Sequence, residues 1–258
     1  MTNNLPFRNK IALITGSGRG IGAAIALYFA RNGADVVINF FRNRAPAKEI
    51  AREVKALGRS ALLVKADMGN IENINQLMDE VEKTFGGLDI LVNNAASGYN
   101  HPAMQQKPKG WDWTMNINAR SVLFTAQRAV PLMVKRGGGS IVNISSPGSN
   151  RVMPDYIVVG ASKAALESLT RYLAVELAPH NINVNAVSPG LVETDALKHF
   201  STLSTVNIRE EAARSTPAGR LVTAEDIAGV VAFLCTPSAG MIRGQVIAVD
   251  GGYTLPFK

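Results

Sequence analysis

The chain reads as an α/β protein built on a doubly wound parallel sheet. Three observations predict this: short apolar runs and helical periodicities take turns from end to end, the runs are apolar on both faces, and neither a Pro/Ser-rich linker nor a repeat interrupts them. With 258 residues, 47% of them hydrophobic, a single domain of this kind can bury a large core. The first strand is at 10–15, where Ile11, Ala12, Leu13 and Ile14 form an apolar run closed by Gly16. A helix follows, with Ile21, Ile25, Leu27, Phe29 and Ala30 at helical spacing until Asn32 and Gly33 stop it. The run at 35–40 supplies the second strand. Beyond it come a strand at 60–64, a helix at 71–85, a strand at 90–92, a helix at 118–134 and a strand at 140–144. Helices at 161–177 and 224–234, with strands at 183–187 and 246–249, carry the alternation to the C-terminus. In such sheets ligands sit at the carboxyl ends of the strands.

The longest stretch without a clear pattern is 190–221. It has mixed helical periodicity at 196–200 and 208–214, interrupted by Ser/Thr-rich residues 201–205. Long irregular segments in compact domains are commonly lids or binding loops, so a helical substrate lid is expected here; a pair of ordinary surface helices is the competing reading.

Composition excludes several function classes. The net charge of +7 invites an acidic partner, but Lys and Arg are scattered singly without interleaved aromatics, so no nucleic-acid interface is expected. The apolar runs break well before the roughly 18 residues of a membrane span, and a cytoplasmic protein is expected. Cys235, the single cysteine, lies in an apolar run and reads as a buried reduced thiol. His101, His180 and His199 are dispersed without ligand spacing, so no metal is expected.

Between the first strand and first helix stand Gly16, Ser17, Gly18, Arg19, Gly20, Ile21 and Gly22. In that context the glycines permit a tight turn and let a pyrophosphate approach backbone N–H groups at the helix N-terminus, where the helix dipole adds partial positive charge. This predicts a Rossmann-type dinucleotide site. The segment after the second strand, residues 39–44, has no carboxylate for ribose hydroxyls but holds Arg42, which with Arg19 suits a 2′-phosphate and favours NADPH over NADH. For either arginine a solvated surface charge is the alternative.

Thr15, Gly16, Gly20, Ile21, Gly22, Asp67, Asn93, Asn94, Ala95, Asn118, Ser146, Lys163, Pro189 and Gly190 together resemble the short-chain dehydrogenase/reductase family, over nearly the whole chain. The resemblance implies that Asp67 and Met68 contact adenine, that Asn94 and Ala95 line the adenosine ribose, and that Thr194 with Gly190 holds the nicotinamide carboxamide. Asp67 as a helix cap and Asn94 as a tie between strands stay open.

In most members of that family a tyrosine stands four positions before the lysine, where it gains acidity from the ammonium. Here that position is Val159, and the nearest tyrosine is Tyr156, seven before Lys163. Seven positions are about two helical turns, which keeps both on one side if the helix reaches so far. This spacing is similar to that of the enoyl-acyl-carrier-protein reductases within the family; the other reading makes Tyr156 a loop aromatic of a site without its acid. The stretches 93–98, 111–119, 194–200 and 241–245 resemble the NADPH-dependent enoyl reductase III type of Bacillus-like bacteria, from which the chain departs at Val152 and at Ser188 to Gly190.

The resemblance implies reduction of the C=C bond of a trans-2-enoyl thioester in fatty acid synthesis. Tyr156 would donate a hydrogen bond to the enolate oxygen, and Lys163 would hold the ribose and keep the field positive. Ser146 and Asn118 are divided between catalysis and structure. An acyl-carrier protein bearing the 2-enoyl chain would meet Lys198, Arg209, Arg214 and Arg220, for which solvated helix faces are the alternative. The apolar C-terminal segment 246–255 resembles the edge through which relatives form homotetramers. The rival functions are a carbonyl reductase of the same family, acting on 3-oxoacyl thioesters, sterols or sugars, and a catalytically silent NADP(H)-binding protein.

Overall fold

Runs that are apolar on both faces build strands covered on both faces. In the computed structural model, which describes residues 5–192 and 206–256, β1 (Ile11–Ile14) is buried at every position. Alternate residues feed opposite layers: Ala12 and Ile14 join a core under α1 (Gly20–Arg31), α2 (Arg44–Ala56) and α8 (Ala224–Leu234). Leu13 joins a second core under α3 (Ile71–Phe85), α5 (Ser121–Val134) and α6 (Ile157–Glu176). This is the three-layer solution that lets a parallel sheet bury both faces.

The sheet has seven strands in the order β3-β2-β1-β4-β5-β6-β7. The remaining strands are β2 (Asp35–Phe40), β3 (Ala61–Lys65), β4 (Ile90–Asn93), β5 (Gly139–Ile144), β6 (Ile182–Pro189) and β7 (Val246–Val249). All the pairings are parallel. β1 pairs with β2 on one side and β4 on the other, so the winding reverses there and opens a crevice at the carboxyl ends. A buried chain of side-chain hydrogen bonds stiffens the neighbouring strands: Thr125 donates to Asn93, Asn93 to Asn143, and Asn143 to Thr170.

Several elements differ from the sequence expectation. α2 went unread because its inward face is Ala47, Ala51 and Val54, small side chains that make a weak apolar stripe. α4 (Pro108–Met115) was also missed; only Thr114 of its eight residues is buried. The helix expected from 118 opens instead as a π-turn, Asn116–Arg120, before α5. The helix expected from 161 begins at Ile157, directly after Tyr156. In the segment 190–221, α7 (Val206–Ser215) realises the periodicity read at 208–214. The part expected at 196–200, with Thr194 and Lys198, lies outside the described residues.

Among the described residues no helix is long and apolar enough to cross a membrane. Cys235 closes α8 half-buried, and burial pushes its thiol up to about 12, so it is inert at neutral pH.

Candidate functional site

At the β1 end, side chains lock the backbone into a cradle. Gly16 and Gly20 have φ of +64° and +57°, conformations that favour glycine. A Cβ on Gly22 would lie 2.5 Å from Asn94 Nδ2 and 2.6 Å from the Gly16 carbonyl oxygen, so the third glycine is a packing requirement. Asn94 Nδ2 donates to the carbonyl oxygens of Thr15 (2.9 Å) and Gly16 (3.1 Å), while Thr15 Oγ1 accepts from the N–H groups of Asn94 and Ala95. Asn39 accepts from the Gly16 N–H at 3.0 Å and donates to the Ala66 carbonyl at 3.1 Å. Asn94 therefore does tie the loop to β4. Ser17 is fully buried with its hydroxyl on the Ile14 carbonyl, facing away from solvent.

The N-terminus of α1 is left open: Arg19 at the N-cap makes no side-chain cap, and the first turn carries no acid. Uncapped N–H groups and an unopposed dipole suit an anion there. Around it lies a cavity of about 930 Å³ lined by Gly16, Gly18, Arg19, Gly20, Ile21, Gly22, Arg42, Asp67, Met68, Asn94 and Ala95. The open helix end and the glycine cradle fit a dinucleotide, and the volume suits one. Asp67 accepts from the Gly69 N–H, and α3 is capped instead by Asn70, which settles the capping alternative against Asp67. Gly190 lies apart from this cavity wall, at the end of β6 against Asp250, and Thr194 falls outside the described residues.

At the β5 end the groups are side chains. Lys163, buried on α6, donates from Nζ to the Ile144 carbonyl at 2.7 Å; desolvation pushes its pKa down to about 8, opposed by the negative charge of Glu167 one turn on. Glu167 accepts from Ser145 Oγ at 2.5 Å, so a buried carboxylate is joined to the strand end that presents Ser146. Tyr156 stands at the N-cap of α6 with its hydroxyl 3.4 Å from Ser146 Oγ. Burial raises the phenol above its ordinary value, and the Ser146 contact opposes this, so Tyr156 is a protonated donor at neutral pH. Val159 is buried, and a Cβ on Gly98 would meet its Cγ2 at 2.3 Å. The position four before the lysine is thus filled by packing.

Asn118 sits in the π-turn, accepts from the Ser97 N–H at 2.8 Å and donates to the Ser97 carbonyl and Ser162 Oγ, both at 2.9 Å. Its amide ties the loop after β4 to α6. Ser97 also lines the cavity, so Asn118 ties the cavity wall to α6, the helix that carries Lys163. Segments flanking Tyr156 expose Val152, Ile157 and, across the His101 to Asp155 backbone hydrogen bond, Met104. Of the basic residues expected to meet an acidic partner, Arg214 pairs with Glu210, and Arg220 grips both oxygens of Asp226, whose carboxyl is held well below the usual range. Those two are already paired within the chain. Lys198 and the Arg209 side chain lie outside the described residues.

Sequence reasoning missed Asn39, Phe41, Trp113, Ser145 and Glu167. Glu167, at i+4 from Lys163 on a helix, was open to detection by spacing. Trp113 carried no local signal, since only the fold brings α4 to the cavity.

Residues 16–254 match the family model described as enoyl-(acyl carrier protein) reductase. The chain is 40% identical over 248 residues to the 1-cyclohexenylcarbonyl-CoA reductase of Streptomyces collinus, covering 96% of this chain and 88% of that one. It is 37% identical over 253 residues to a hydroxynaphthalene reductase-like protein of Metarhizium robertsii, covering 94% of each. Among solved structures, a 7α-hydroxysteroid dehydrogenase complexed with NADH and 7-oxo glycochenodeoxycholic acid superposes with a TM-score of 0.90 at 35% identity, over 98% of this chain and 97% of that one. With this sheet order and this cleft, the chain belongs to the short-chain dehydrogenase/reductase family of oxidoreductases.

Proposed function

We propose that this chain uses NADPH to reduce the C=C bond of a 2-enoyl thioester. The observation that carries the reading is the displaced tyrosine: Val159 fills the position four before Lys163, and Tyr156, one turn earlier, presents its hydroxyl beside Ser146. The name of the Streptomyces relative supports it, because a 1-cyclohexenylcarbonyl thioester is itself α,β-unsaturated. The exposed Met104, Val152 and Ile157 suit a lipophilic acyl chain.

A nicotinamide bound here would supply a hydride to the β carbon of the substrate. Residues of this chain would handle the developing charge, and water would supply the proton that the α carbon takes up as the enolate collapses. Negative charge moves onto the thioester oxygen, where Tyr156, kept protonated by its burial, donates a hydrogen bond. Lys163 would hold the ribose hydroxyls and keep the local field positive, with Glu167 sustaining its charge. Ser146 steers the phenol. Arg42 and Arg19, in a cavity wall whose 39–44 stretch has no carboxylate, favour the 2′-phosphate of NADPH. An acyl-carrier protein is the thioester partner in this reading, and the Streptomyces relative's name adds coenzyme A as the alternative carrier. The enzyme works in the cytoplasm as a homotetramer; exposed Met241 and Leu255, near the edge strand β7, supply apolar surface for self-association.

Carbonyl reduction is the second reading, and the comparisons give it the wider support. The solved relative binds a 7-oxo steroid, another relative is a hydroxynaphthalene reductase-like protein, and hydroxyls 3.4 Å apart can bracket one carbonyl oxygen. The deciding experiment follows NADPH oxidation with crotonyl and longer 2-enoyl thioesters beside acetoacetyl thioester and a ketosteroid. Turnover of the enoyl substrates is the expected result. Activity confined to the ketones would replace C=C reduction with carbonyl reduction.

A further inference from the structure

Arg42 is exposed at the mouth of the cavity, and among the described residues no carboxylate pairs with it. What it has instead is two aromatic faces. Its guanidinium carbon lies 5.7 Å from the ring centroid of Phe41, its chain neighbour, and 5.9 Å from that of Trp113 on α4. Both distances fall within the roughly 6 Å over which a ring quadrupole attracts a cation, and Trp is the strongest such partner. Arg42, Phe41 and Trp113 all line the cavity wall. Trp113 is 37% exposed, so part of this large side chain is left open at the cavity wall.

We propose that Trp113 is a positioning residue: it holds the Arg42 guanidinium at the cavity mouth, and the pair selects a dinucleotide bearing a 2′-phosphate over one that lacks it. This rests on the NADPH reading above and adds a residue to it. A free arginine has many rotamers, and a phosphate contact must overcome the entropy of fixing one of them. A side chain already held against two rings has lost part of that freedom before the ligand arrives, which is preorganisation. Cation–π stacking leaves the edge of the guanidinium, with its N–H groups, available to phosphate oxygens. If Trp113 instead served as a wall for adenine, it would act on both dinucleotides alike.

The test is calorimetric titration of the full chain with NADPH and NADH, without substrate, for wild type, Trp113→Ala, Trp113→Phe and Arg42→Ala. Removing the ring in Trp113→Ala is expected to weaken NADPH binding about three- to tenfold while NADH stays within about twofold. Trp113→Phe, which keeps a ring, should retain the NADPH preference within about twofold of wild type. Equal weakening of both dinucleotides by Trp113→Ala, or no change in either, overturns the proposal. Arg42→Ala separates the two levels of inference. Loss of NADPH preference in Arg42→Ala with an inert Trp113→Ala leaves the NADPH reading standing and removes Trp113 from it. An unchanged preference in Arg42→Ala removes the NADPH reading itself, and the Trp113 proposal with it.

Discussion

The β1 and β5 ends of the sheet are built by opposite means. At the β1 end, the polar side chains of Thr15, Asn39 and Asn94 are taken up by the scaffold, and the backbone with an uncapped helix N-terminus is what faces the cavity. At the β5 end the arrangement is reversed: the backbone carbonyl of Ile144 serves to hold Lys163, and side-chain groups with shifted pKa values are what the site presents. Backbone N–H groups do not titrate and are present whatever the side chain, proline excepted, so they suit a phosphate that must be bound in every cycle. Proton and charge handling needs groups whose acidity the environment can tune, and only side chains offer that.

Three expected effects press on this contrast. The largest effect is expected at the side-chain end: Tyr156→Phe removes the hydrogen-bond donor and should lower kcat by about 10²–10³-fold, as loss of an oxyanion donor does. Calorimetric affinity for NADPH should stay as in wild type; a matching loss of cofactor binding would dissolve the division between the two ends. Next comes the backbone end. In Gly22→Ala the new methyl must displace Asn94 Nδ2 and the Gly16 carbonyl, and overpacking of roughly 1–3 kcal/mol should weaken NADPH binding about 5- to 150-fold. The ratio of rates on different substrates at saturating cofactor should not move.

The smallest effect is a pH profile. Lys163 titrates at about 8, so its charged fraction, and kcat/KM with it, should fall about fivefold from pH 8 to pH 9. Glu167→Gln removes the opposing negative charge and should shift that alkaline limb to lower pH. Stability moves the other way. Between about 8 and the ordinary lysine value of 10.5, the unfolded chain holds more protons at this site than the folded one. Urea midpoints should therefore rise through that window as far as this residue is concerned, and Lys163→Met should flatten the rise. An alkaline limb unchanged in Glu167→Gln would show that the carboxylate does not sustain the lysine's charge.

Much of the fold was legible because its determinants are local. Apolar runs such as Ile11–Ile14, the glycine-rich turn before α1 and the stops at Asn32 and Gly33 each act within a few residues, and the structure places them accordingly. Helices α2 and α4 escaped for the same physical reason read in reverse: α2 buries alanines and α4 buries almost nothing, so burial left little mark on the pattern. In the site, Tyr156 and Lys163 were visible by spacing, but their environment was not. The depressed lysine, the raised phenol and the Ser145–Glu167 contact depend on which groups the packed sheet excludes from water.

By itself, then, the sequence determined the alternation of elements, the phosphate-cradling turn and the displaced tyrosine, because glycine conformations, apolar periodicity and residue spacing are properties of short stretches of chain. Only the tertiary structure decided that Asn39 and Asn94 tie down the glycine loop, that Asn70 caps α3 in place of Asp67, and that Trp113 reaches Arg42 from α4. Those are contacts between residues distant in sequence, and hydrogen-bond partners and desolvation exist only once strands and helices have been brought together.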